Sequence, residues 1–400
     1  MQTEDWIAVE KEHYFQTGKR LPVVLERGEG TKVWDDNGKE YLDFVGGIAV
    51  TSLGHAHPVI VEALTNQAKK LISVSNYYYT TPQLKLARLL SEISGLDRAF
   101  FCNSGAEAVE GLIKLARKFG KEKRDGAYEI IVCEGAFHGR TLATVTASAN
   151  ERYRAPFTPL PEGFPRVPFN DIDAVKAATT GKTAAVLVEP LQGEGGVNVP
   201  DDDYLPQLRA WCDEAGILLL LDEVQTGAGR TGKMFAFQHY GILPDALAVA
   251  KAMAGGVPIG AFLAREELAL LLAPGEHGTT FGGNALACEV AHEVLSYMIT
   301  NDLPAQVTQR GQHFERRLTA LADRQPMITE IRGRGLIWAV ELDRPASDDI
   351  VAKCLEAGLL VNGVKPTALR FLPPFTVSEG EIDAAVEIVD RALHELSEEK

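Results

Sequence analysis

Four apolar stretches in the middle of the chain are each followed closely by residues that can act as acids, bases or nucleophiles. The stretches are 129–133, 184–188, 217–221 and 246–250, and the residues after them are His138 and Arg140, Glu189 and Glu194, Asp222 and Gln225, and Lys251. Any one of these residues alone is most often a strand cap, a solvated turn or a surface charge. In an open parallel sheet, however, ligands bind beyond the carboxyl ends of the strands. Their convergence on one sheet edge therefore predicts a functional site.

A further segment, Asn103-Ser104-Gly105-Ala106-Glu107, precedes a stretch with helical periodicity. Ser104 is suited to cap this helix, whose free amides and positive dipole end would favour an anion. Gly105 permits close approach of the backbone to a ligand. The segment predicts either a phosphate cradle or an ordinary helix cap, and this motif alone does not distinguish the two.

A phosphate cradle, a lysine and a carboxylate at one sheet edge match the requirements of pyridoxal 5'-phosphate. Lys251 would form a Schiff base with the aldehyde of this cofactor and would later move a proton. Asp222 would keep the pyridine nitrogen protonated, so that the ring can accept the electrons of a carbanion. The aromatic ring of Phe137 could stack on the face of the cofactor.

The motifs that carry these residues resemble those of class III aminotransferases of the ornithine and acetylornithine type. Besides the segment around Lys251, the matching strings are NSGAEA at 103–108, FHGRT at 137–141, EPLQGE at 189–194, LDEVQTG at 221–227 and HGTTFGGN at 277–284. They follow the order of the family, and the resemblance extends from about residue 33 to residue 375. It implies an α/β protein of fold type I among pyridoxal-phosphate-dependent transferases. Such a protein has a large, mostly parallel sheet domain and a smaller α+β domain from both chain termini, and it forms an obligatory homodimer.

The resemblance also implies roles at the cofactor. Lys251 would carry the cofactor, Asp222 would pair with the pyridine nitrogen, and Gln225 would hydrogen-bond the 3′-oxygen. Val224 would pack on the ring face opposite Phe137. The other predicted members of the cofactor site are Ser104, Gly105, Ala106, His138 and Glu189 of the same chain, and Thr280 of the partner subunit.

Four further residues would bind the substrates according to the same resemblance. Arg140 matches the arginine whose planar guanidinium binds the substrate α-carboxylate, and Thr279 would contact the substrate beside it. Glu194 would neutralise Arg370 while an amine donor reacts, and it would move aside when Arg370 binds a carboxylate of 2-oxoglutarate. Because a buried unpaired arginine is costly, a movable counter-ion lets one pocket accept partners of different charge.

The implied reaction transfers the ω-amino group of N-acetylornithine to 2-oxoglutarate, which gives N-acetylglutamate 5-semialdehyde and glutamate, as in arginine biosynthesis. The stretches 43–50 and 53–58 resemble the acetylornithine type and lack the tyrosine with which ornithine-type members engage a free α-amine.

Gly46 departs from this pattern, because alanine is more frequent there. A Gly46-Gly47 pair also occurs in relatives that act on a lysine held by an acidic carrier protein, although a net charge of −15 disfavours such a partner. Ornithine, succinylornithine, acetyl-lysine and 4-aminobutyrate are the other alternative donors.

The elements that must position these residues alternate along the middle of the chain. Runs that are apolar at every position are typical of parallel strands covered on both faces, and helical stretches between them provide the crossovers. Asn37-Gly38 predicts a hairpin, and a helix begins at Pro58. Near the C-terminus we predict helices at 309–321 and 379–396, and strands at 336–342, 359–361 and 369–372. The predicted domains are 1–57 for the N-terminal part of the small domain, 58–305 for the large cofactor-binding domain, and 306–400 for the C-terminal small domain.

The composition disfavours several classes of function. The 400 residues are 46% hydrophobic and 24% charged, as in an ordinary globular protein. A net charge of −15 without a basic stripe argues against nucleic-acid and membrane partners. Five widely spaced cysteines without a C-x-x-C motif indicate reduced thiols, and we expect neither a disulfide framework nor a metal site. Because no apolar leader or membrane-length run is present, we expect a cytoplasmic location.

One alternative belongs to a different class of enzyme. The segment 227–234 is one residue short of the P-loop motif of nucleotide-binding enzymes. Met234 stands where the hydroxyl of a serine or threonine would bind magnesium, so the phosphate-and-metal role fails at its last position. The sequence therefore favours the cofactor-dependent transferase over a nucleotide hydrolase.

Overall fold

A computed structural model of the protein describes residues 2–398. The strands are β1 (Leu25–Glu29), β2 (Lys32–Asp35), β3 (Glu40–Asp43), β4 (Arg98–Cys102), β5 (Glu129–Cys133), β6 (Arg166–Val167), β7 (Thr183–Val188), β8 (Leu218–Asp222), β9 (Ala246–Val249), β10 (Gly260–Ala264), β11 (Ile328–Arg334), β12 (Ile337–Leu342), β13 (Leu359–Leu360), β14 (Asn362–Lys365) and β15 (Ala368–Phe371). The α-helices are α1 (Thr3–His13), α2 (Gly46–Ala49), α3 (Pro58–Ala68), α4 (Thr81–Ser94), α5 (Gly105–Lys123), α6 (Leu142–Ala147), α7 (Glu151–Arg154), α8 (Ile172–Ala178), α9 (Tyr204–Ala215), α10 (Glu266–Ala269), α11 (Ala285–Thr300), α12 (Leu303–Ala322), α13 (Ser347–Glu356) and α14 (Glu379–Glu398). Within 2–398, no helix has both the length and the apolar character needed to cross a membrane.

The central sheet has seven strands in the order β4-β10-β9-β8-β7-β5-β6. The five strands from β9 to β6 run parallel, whereas β10 is antiparallel to both of its neighbours. Every residue of β7 and β8 is buried, as expected for strands covered by helices on both faces. The four apolar runs predicted as strands are β5, β7, β8 and β9, and the predicted mostly parallel α/β architecture is confirmed.

Two smaller sheets lie outside the central sheet. One has the order β1-β2-β3-β13, in which β13 from near the C-terminus pairs in parallel with β3 from near the N-terminus. The other, β11-β12-β15-β14, is antiparallel and comes from the C-terminal part alone. The smaller part of the molecule is thus built from both chain ends, as predicted. The boundaries at residues 57 and 305 stay predictions.

Most of the individually predicted elements are present, and a few were missed. The hairpin at Asn37-Gly38 joins β2 to β3, and α3 begins at Pro58. We did not predict α1, in which no residue is buried and whose apolar residues are clustered rather than spaced along one helical face. We also missed β4 and β10. Strand β10 consists largely of small residues, which carry little strand preference.

The P-loop-like segment connects the central sheet to the C-terminal sheet. Arg230 is fully buried, and its Nη1 donates to the carbonyl oxygens of Leu336 at 2.9 Å and Pro373 at 2.6 Å. Its Cζ lies 4.5 Å from the centroid of the Phe375 ring, and burial lowers the pKa of Arg230 to about 9. The Arg230 side chain therefore points into the protein interior and joins two parts of the fold, whereas Lys233, the lysine at the P-loop position, is exposed.

Candidate active site

The carboxyl ends of β5, β7, β8 and β9 surround one cavity of about 460 Å³. Its lining includes every predicted site residue except Thr279, Thr280 and Arg370. The predicted residues that line it are Ser104, Gly105, Ala106, Phe137, His138, Arg140, Glu189, Glu194, Asp222, Val224, Gln225 and Lys251. The parallel topology thus brings together side chains that are up to 147 positions apart in the sequence.

The N-terminus of α5 forms one wall of the cavity. The Ser104 Oγ accepts a hydrogen bond from the Glu107 amide at 3.2 Å, which confirms Ser104 as the N-cap of this helix. A Cβ at Gly105 would lie 2.6 Å from Cγ1 of Val224, so glycine is required for the helix start to approach this side chain. The amides of the first turn have no acceptor within a helix, and they favour an anion at this end.

Asp222 ends β8 and is held by a histidine. Its Oδ2 lies 2.8 Å from Nδ1 of His138, and its Oδ1 accepts a hydrogen bond from the Val224 amide at 3.0 Å. Both side chains are almost completely buried, and the His138 amide donates to Oγ of Ser148 at 2.8 Å. The carboxylate therefore has a fixed orientation in the lining of the cavity.

Two buried glutamates near Asp222, Glu189 and Glu223, accept hydrogen bonds from backbone amides. Glu189 accepts hydrogen bonds from the amides of Phe137 at 2.8 Å and Gly193 at 3.1 Å, which fixes the backbone that carries the Phe137 ring. Burial raises the pKa of Glu189 well above its usual value, and the neighbouring charge of Asp222 raises it further. Burial also raises the pKa of Glu223 to about 7, and this side chain accepts a hydrogen bond from the Phe237 amide.

Lys251 begins a short 3₁₀ turn, Lys251–Ala254, two residues after β9. Its φ of 44° lies in the left-handed region, which is uncommon for a residue with a side chain and is typical of functional sites. The Ser52 hydroxyl donates to the Ala252 carbonyl at 2.8 Å and holds the turn in place. Burial lowers the pKa of Lys251, which favours the neutral amine that a nucleophile or base requires.

Glu194 and Arg370 form an ion pair next to the cavity. Oε1 of Glu194 accepts a hydrogen bond from Nη1 of Arg370 at 2.6 Å, and Gln225 contacts both side chains. Burial alone would raise the pKa of Glu194, but the charge of Arg370 and its hydrogen bond lower it below the usual value. Arg370 is fully buried, and its Nη2 has no partner within residues 2–398. This one nitrogen of the guanidinium could therefore donate to a further acceptor.

Thr279 and Thr280 lie outside the cavity of their own chain. Oγ1 of Thr279 accepts hydrogen bonds from Nδ2 of Asn103 at 3.3 Å and from the Gly282 amide at 3.2 Å. Thr280 is exposed and lines a separate groove together with Tyr77. Within one chain, Thr279 is therefore not part of the cavity that Arg140 lines. The placement of Thr280 in a partner's site stays a prediction.

Several lining residues were missed by the sequence analysis. They are Val50, Asn103, Gly139, Ala250, Gly256, Val257, Pro258 and Ile259. Asn103 and Gly139 lie within the recognised motifs 103–108 and 137–141, so these two residues could have been predicted from the motifs. Val50 reaches the cavity because the four residues before it all have positive φ, which no periodicity in the sequence reveals.

The arrangement of lysine, buried carboxylate and helix N-terminus on this sheet defines a fold type I pyridoxal-phosphate enzyme. A family model described as Aminotransferase class-III matches residues 14–393. The chain belongs to the class-III aminotransferases.

Individual members of this family are similar to this chain over nearly its whole length. A curated acetylornithine aminotransferase of Methanocaldococcus jannaschii is 52% identical over 401 residues, covering 99% of this chain and 100% of the relative. A structure of the Toxoplasma gondii ornithine aminotransferase with partial occupancy of pyridoxal phosphate at its active site has a TM-score of 0.95. Its sequence is 36% identical, and the match covers 100% of this chain and 96% of that one. The acetylornithine aminotransferase of Elizabethkingia anophelis has a TM-score of 0.88 and 36% identity, with coverage of 99% and 100%.

The cofactor of this family, and of this chain, is pyridoxal phosphate. The cavity residues fit this group in three respects. The start of α5 offers amides for an ester phosphate, and Asp222 offers a buried carboxylate for a protonated ring nitrogen. The lowered pKa of Lys251 favours a neutral amine that can attach to an aldehyde.

Proposed function

We propose that this enzyme transfers the ω-amino group of N-acetylornithine to 2-oxoglutarate, which yields N-acetylglutamate 5-semialdehyde and glutamate in arginine biosynthesis. The observation that carries this proposal is the Glu194–Arg370 pair beside Lys251, because it suits two substrates of different charge. The 52% identity to a curated acetylornithine aminotransferase supports the choice of donor.

Several residues of this chain would each have a separate role at the cofactor. When bound, pyridoxal phosphate supplies an aldehyde that holds the amine and a ring that accepts electrons. The Nζ of Lys251 would take the proton from the carbon that bears the amino group and return it later. Asp222, oriented by His138, would hold a proton at the ring nitrogen. Phe137 and Val224 would pack on the two ring faces.

The remaining roles rest on the resemblance to the family, and the position of Gly105, Ala106 and Gln225 in the cavity wall supports them. The amides of Gly105 and Ala106 would bind the phosphate, together with Thr280 of the partner subunit. Gln225 would hydrogen-bond the 3′-oxygen. Thr279 lies next to Thr280 and outside its own cavity, so it would reach the substrate from the partner subunit as well.

Arg140 would bind the α-carboxylate of each substrate. Its side chain lines the cavity and forms no ion pair within residues 2–398, so its N–H groups are free for a carboxylate. Arg370 would bind the distal carboxylate of 2-oxoglutarate or glutamate, and Glu194 would neutralise Arg370 while the acylated donor is bound. The two arginines would thus hold both ends of the dicarboxylate, whereas the amine donor needs only Arg140.

Gly46, which departs from the acetylornithine pattern, has a structural explanation. Its φ is +55°, and a Cβ at this position would lie 2.7 Å from the carbonyl oxygen of Leu372. Glycine is therefore required by the local backbone and does not by itself indicate a carrier-bound lysine as the donor.

A panel of amine donors, each paired with 2-oxoglutarate as the acceptor, tests the proposed substrate. We expect N-acetylornithine to have the highest kcat/KM, by roughly tenfold or more over ornithine, because no tyrosine of the described chain lines the cavity to engage a free α-ammonium. The comparison should include succinylornithine, acetyl-lysine, 4-aminobutyrate and a carrier-bound lysine. A higher kcat/KM for any of these donors would contradict the choice of N-acetylornithine but not the family.

We also infer that the enzyme is a homodimer whose subunits share their active sites. Large apolar side chains that line the same grooves as Thr280 are exposed, with exposed fractions of 92% for Tyr77, 69% for Tyr78 and 67% for Phe281. Exposed large apolar side chains that occur close together are typical of a protein interface. A second copy of the chain seated here would bring its Thr280 towards a neighbouring cavity.

Hybrid dimers test the shared site. We expect Lys251→Ala and Thr280→Asp each to be impaired as homodimers, the second because its carboxylate repels the phosphate. Co-expression should restore about a quarter of the wild-type activity, because half of the dimers are hybrids with one intact site each. If each site used its own Thr280, no hybrid would contain an intact site and activity would not return.

A cytoplasmic location is a further part of the proposal. The five cysteines are all free and buried within the described residues. Unpaired thiols are typical of proteins in a reducing compartment.

A further inference from the structure

The guanidinium of Arg140 lies against an aromatic side chain outside the recognised motifs. Its Cζ is 3.5 Å from the centroid of the Tyr153 ring and 5.4 Å from that of the Phe137 ring. Both distances are within the range of cation–π contacts, and the contact to Tyr153 is the closer one. Tyr153 does not line the cavity, so it would act on the substrate only through Arg140.

The two ring contacts are the interactions that hold the Arg140 side chain, because in the part of the chain that the structure describes it lacks the hydrogen bonds and ion pairs that an arginine usually makes. Within residues 2–398, the Arg140 side chain has no hydrogen bond and no ion pair, and it is exposed. An exposed side chain with several rotatable bonds loses conformational freedom when it binds a ligand. A ring face restricts the guanidinium without occupying its N–H groups, which lie in the plane of the group and point away from a stacked ring.

Tyr153 is itself held in a defined position. It lies in α7, whose start is capped by the Asn150 side chain, which accepts a hydrogen bond from the Arg152 amide at 3.0 Å. Its ring meets the Phe137 ring edge to face, with centroids 6.3 Å apart and an interplanar angle of 88°. The Phe137 backbone is fixed in turn by Glu189. A continuous set of contacts therefore runs from the buried strand ends to Arg140.

We propose that Tyr153 is a positioning residue that holds Arg140 in the orientation in which it binds the substrate α-carboxylate. This assignment rests on the proposed role of Arg140. The face of the Tyr153 ring orients the guanidinium, and the Tyr153 hydroxyl group has no part in this. Both substrates need this carboxylate contact, so both should depend on Tyr153 in the same way.

Tyr153→Leu and Tyr153→Phe form the test, with Arg140→Ala as the reference. In the holoenzyme, we expect Tyr153→Leu to raise the KM values of the amine donor and the dicarboxylate acceptor by roughly 3- to 10-fold, with kcat within about twofold. Tyr153→Phe keeps the ring and should match the wild type. Arg140→Ala should raise both KM values more. The inhibition constant of glutarate, a dicarboxylate that cannot react, should follow the KM values, and melting temperatures show whether each variant folds.

The possible outcomes separate this proposal from the proposed role of Arg140. If Arg140→Ala raises both KM values but Tyr153→Leu does not, Tyr153 has no positioning role and Arg140 keeps its own. If Tyr153→Phe is as impaired as Tyr153→Leu, the hydroxyl group is responsible and the proposal is wrong. A loss of kcat and melting temperature without a change in KM would show a merely structural role. If Arg140→Ala changes neither KM, both assignments fail.

Discussion

Lys251→Ala will reduce turnover by roughly 10⁴-fold or more while the protein keeps its fold. The loss follows from the position of Lys251 in the cavity, where the lowered pKa of its amine suits attachment to the cofactor and proton transfer. The fold should survive, because removing a buried amine also removes the cost of burying its charge. Steady-state kinetics with saturating acceptor, together with circular dichroism, would measure the two effects.

A matched control distinguishes this loss from a general effect of removing a lysine. Lys182 is exposed immediately before β7, at the opposite end of the strand from the cavity, so Lys182→Ala should have wild-type turnover. Borohydride treatment of the wild type should fix the cofactor to the peptide that contains Lys251, and Lys251→Ala should lack this attachment. Undiminished turnover in Lys251→Ala would remove this residue from the mechanism.

Substitutions at the Glu194–Arg370 pair will change the two half-reactions in opposite ways. Arg370→Met should raise the KM of the dicarboxylate acceptor by about 10²-fold, since a buried arginine that binds a carboxylate contributes strongly to affinity. The first half-reaction, with N-acetylornithine, should change much less. Glu194→Gln leaves Arg370 without its counter-ion, so it should strengthen the binding of dicarboxylates and weaken the binding of the neutral-ended donor.

Single-turnover absorbance of the cofactor measures each half-reaction separately. Gln225→Ala is a useful comparison, because Gln225 contacts both members of the pair and carries no charge. We expect it to affect the two half-reactions in the same direction. If Arg370→Met and Glu194→Gln weakened both half-reactions equally, the Glu194–Arg370 pair would have only a structural role. The proposal that Glu194 and a substrate carboxylate alternate as partners of Arg370 would then be wrong.

Much of the site could be predicted because its chemistry is concentrated in short local signals. β5, β7, β8 and β9 are apolar at nearly every position, and most of the charged residues that line the cavity follow them closely. The N-cap at Ser104 is equally local, because a hydroxyl three residues before the amide it binds has a fixed geometry. Signals of this kind do not depend on distant parts of the chain.

Other parts of the site could not be predicted because they depend on how distant segments pack. Tyr153 lies 13 positions after Arg140 on a four-residue helix, and no spacing rule relates the two side chains. Thr279 belongs to a recognised motif, yet within its own chain it lies outside the cavity. Strand β10 was missed because its small residues give no pattern, although it pairs with both β4 and β9.

The amino-acid sequence alone determined the class of fold, the cofactor chemistry and most of the residues that line the cavity. These depend on residue types next to strand ends, and the topology of a parallel sheet leaves few places for such residues to meet. The Glu194–Arg370 pair was predicted as well, but only the tertiary structure decided what the other charged groups contact and which of them keep free hydrogen-bonding groups. Arg370 contacts Glu194 and keeps one nitrogen without a partner, whereas Arg140 lies over the Tyr153 ring and has no ion pair within residues 2–398. Such differences depend on distances of a few ångströms between segments far apart in the chain, over which the electrostatic energy changes steeply.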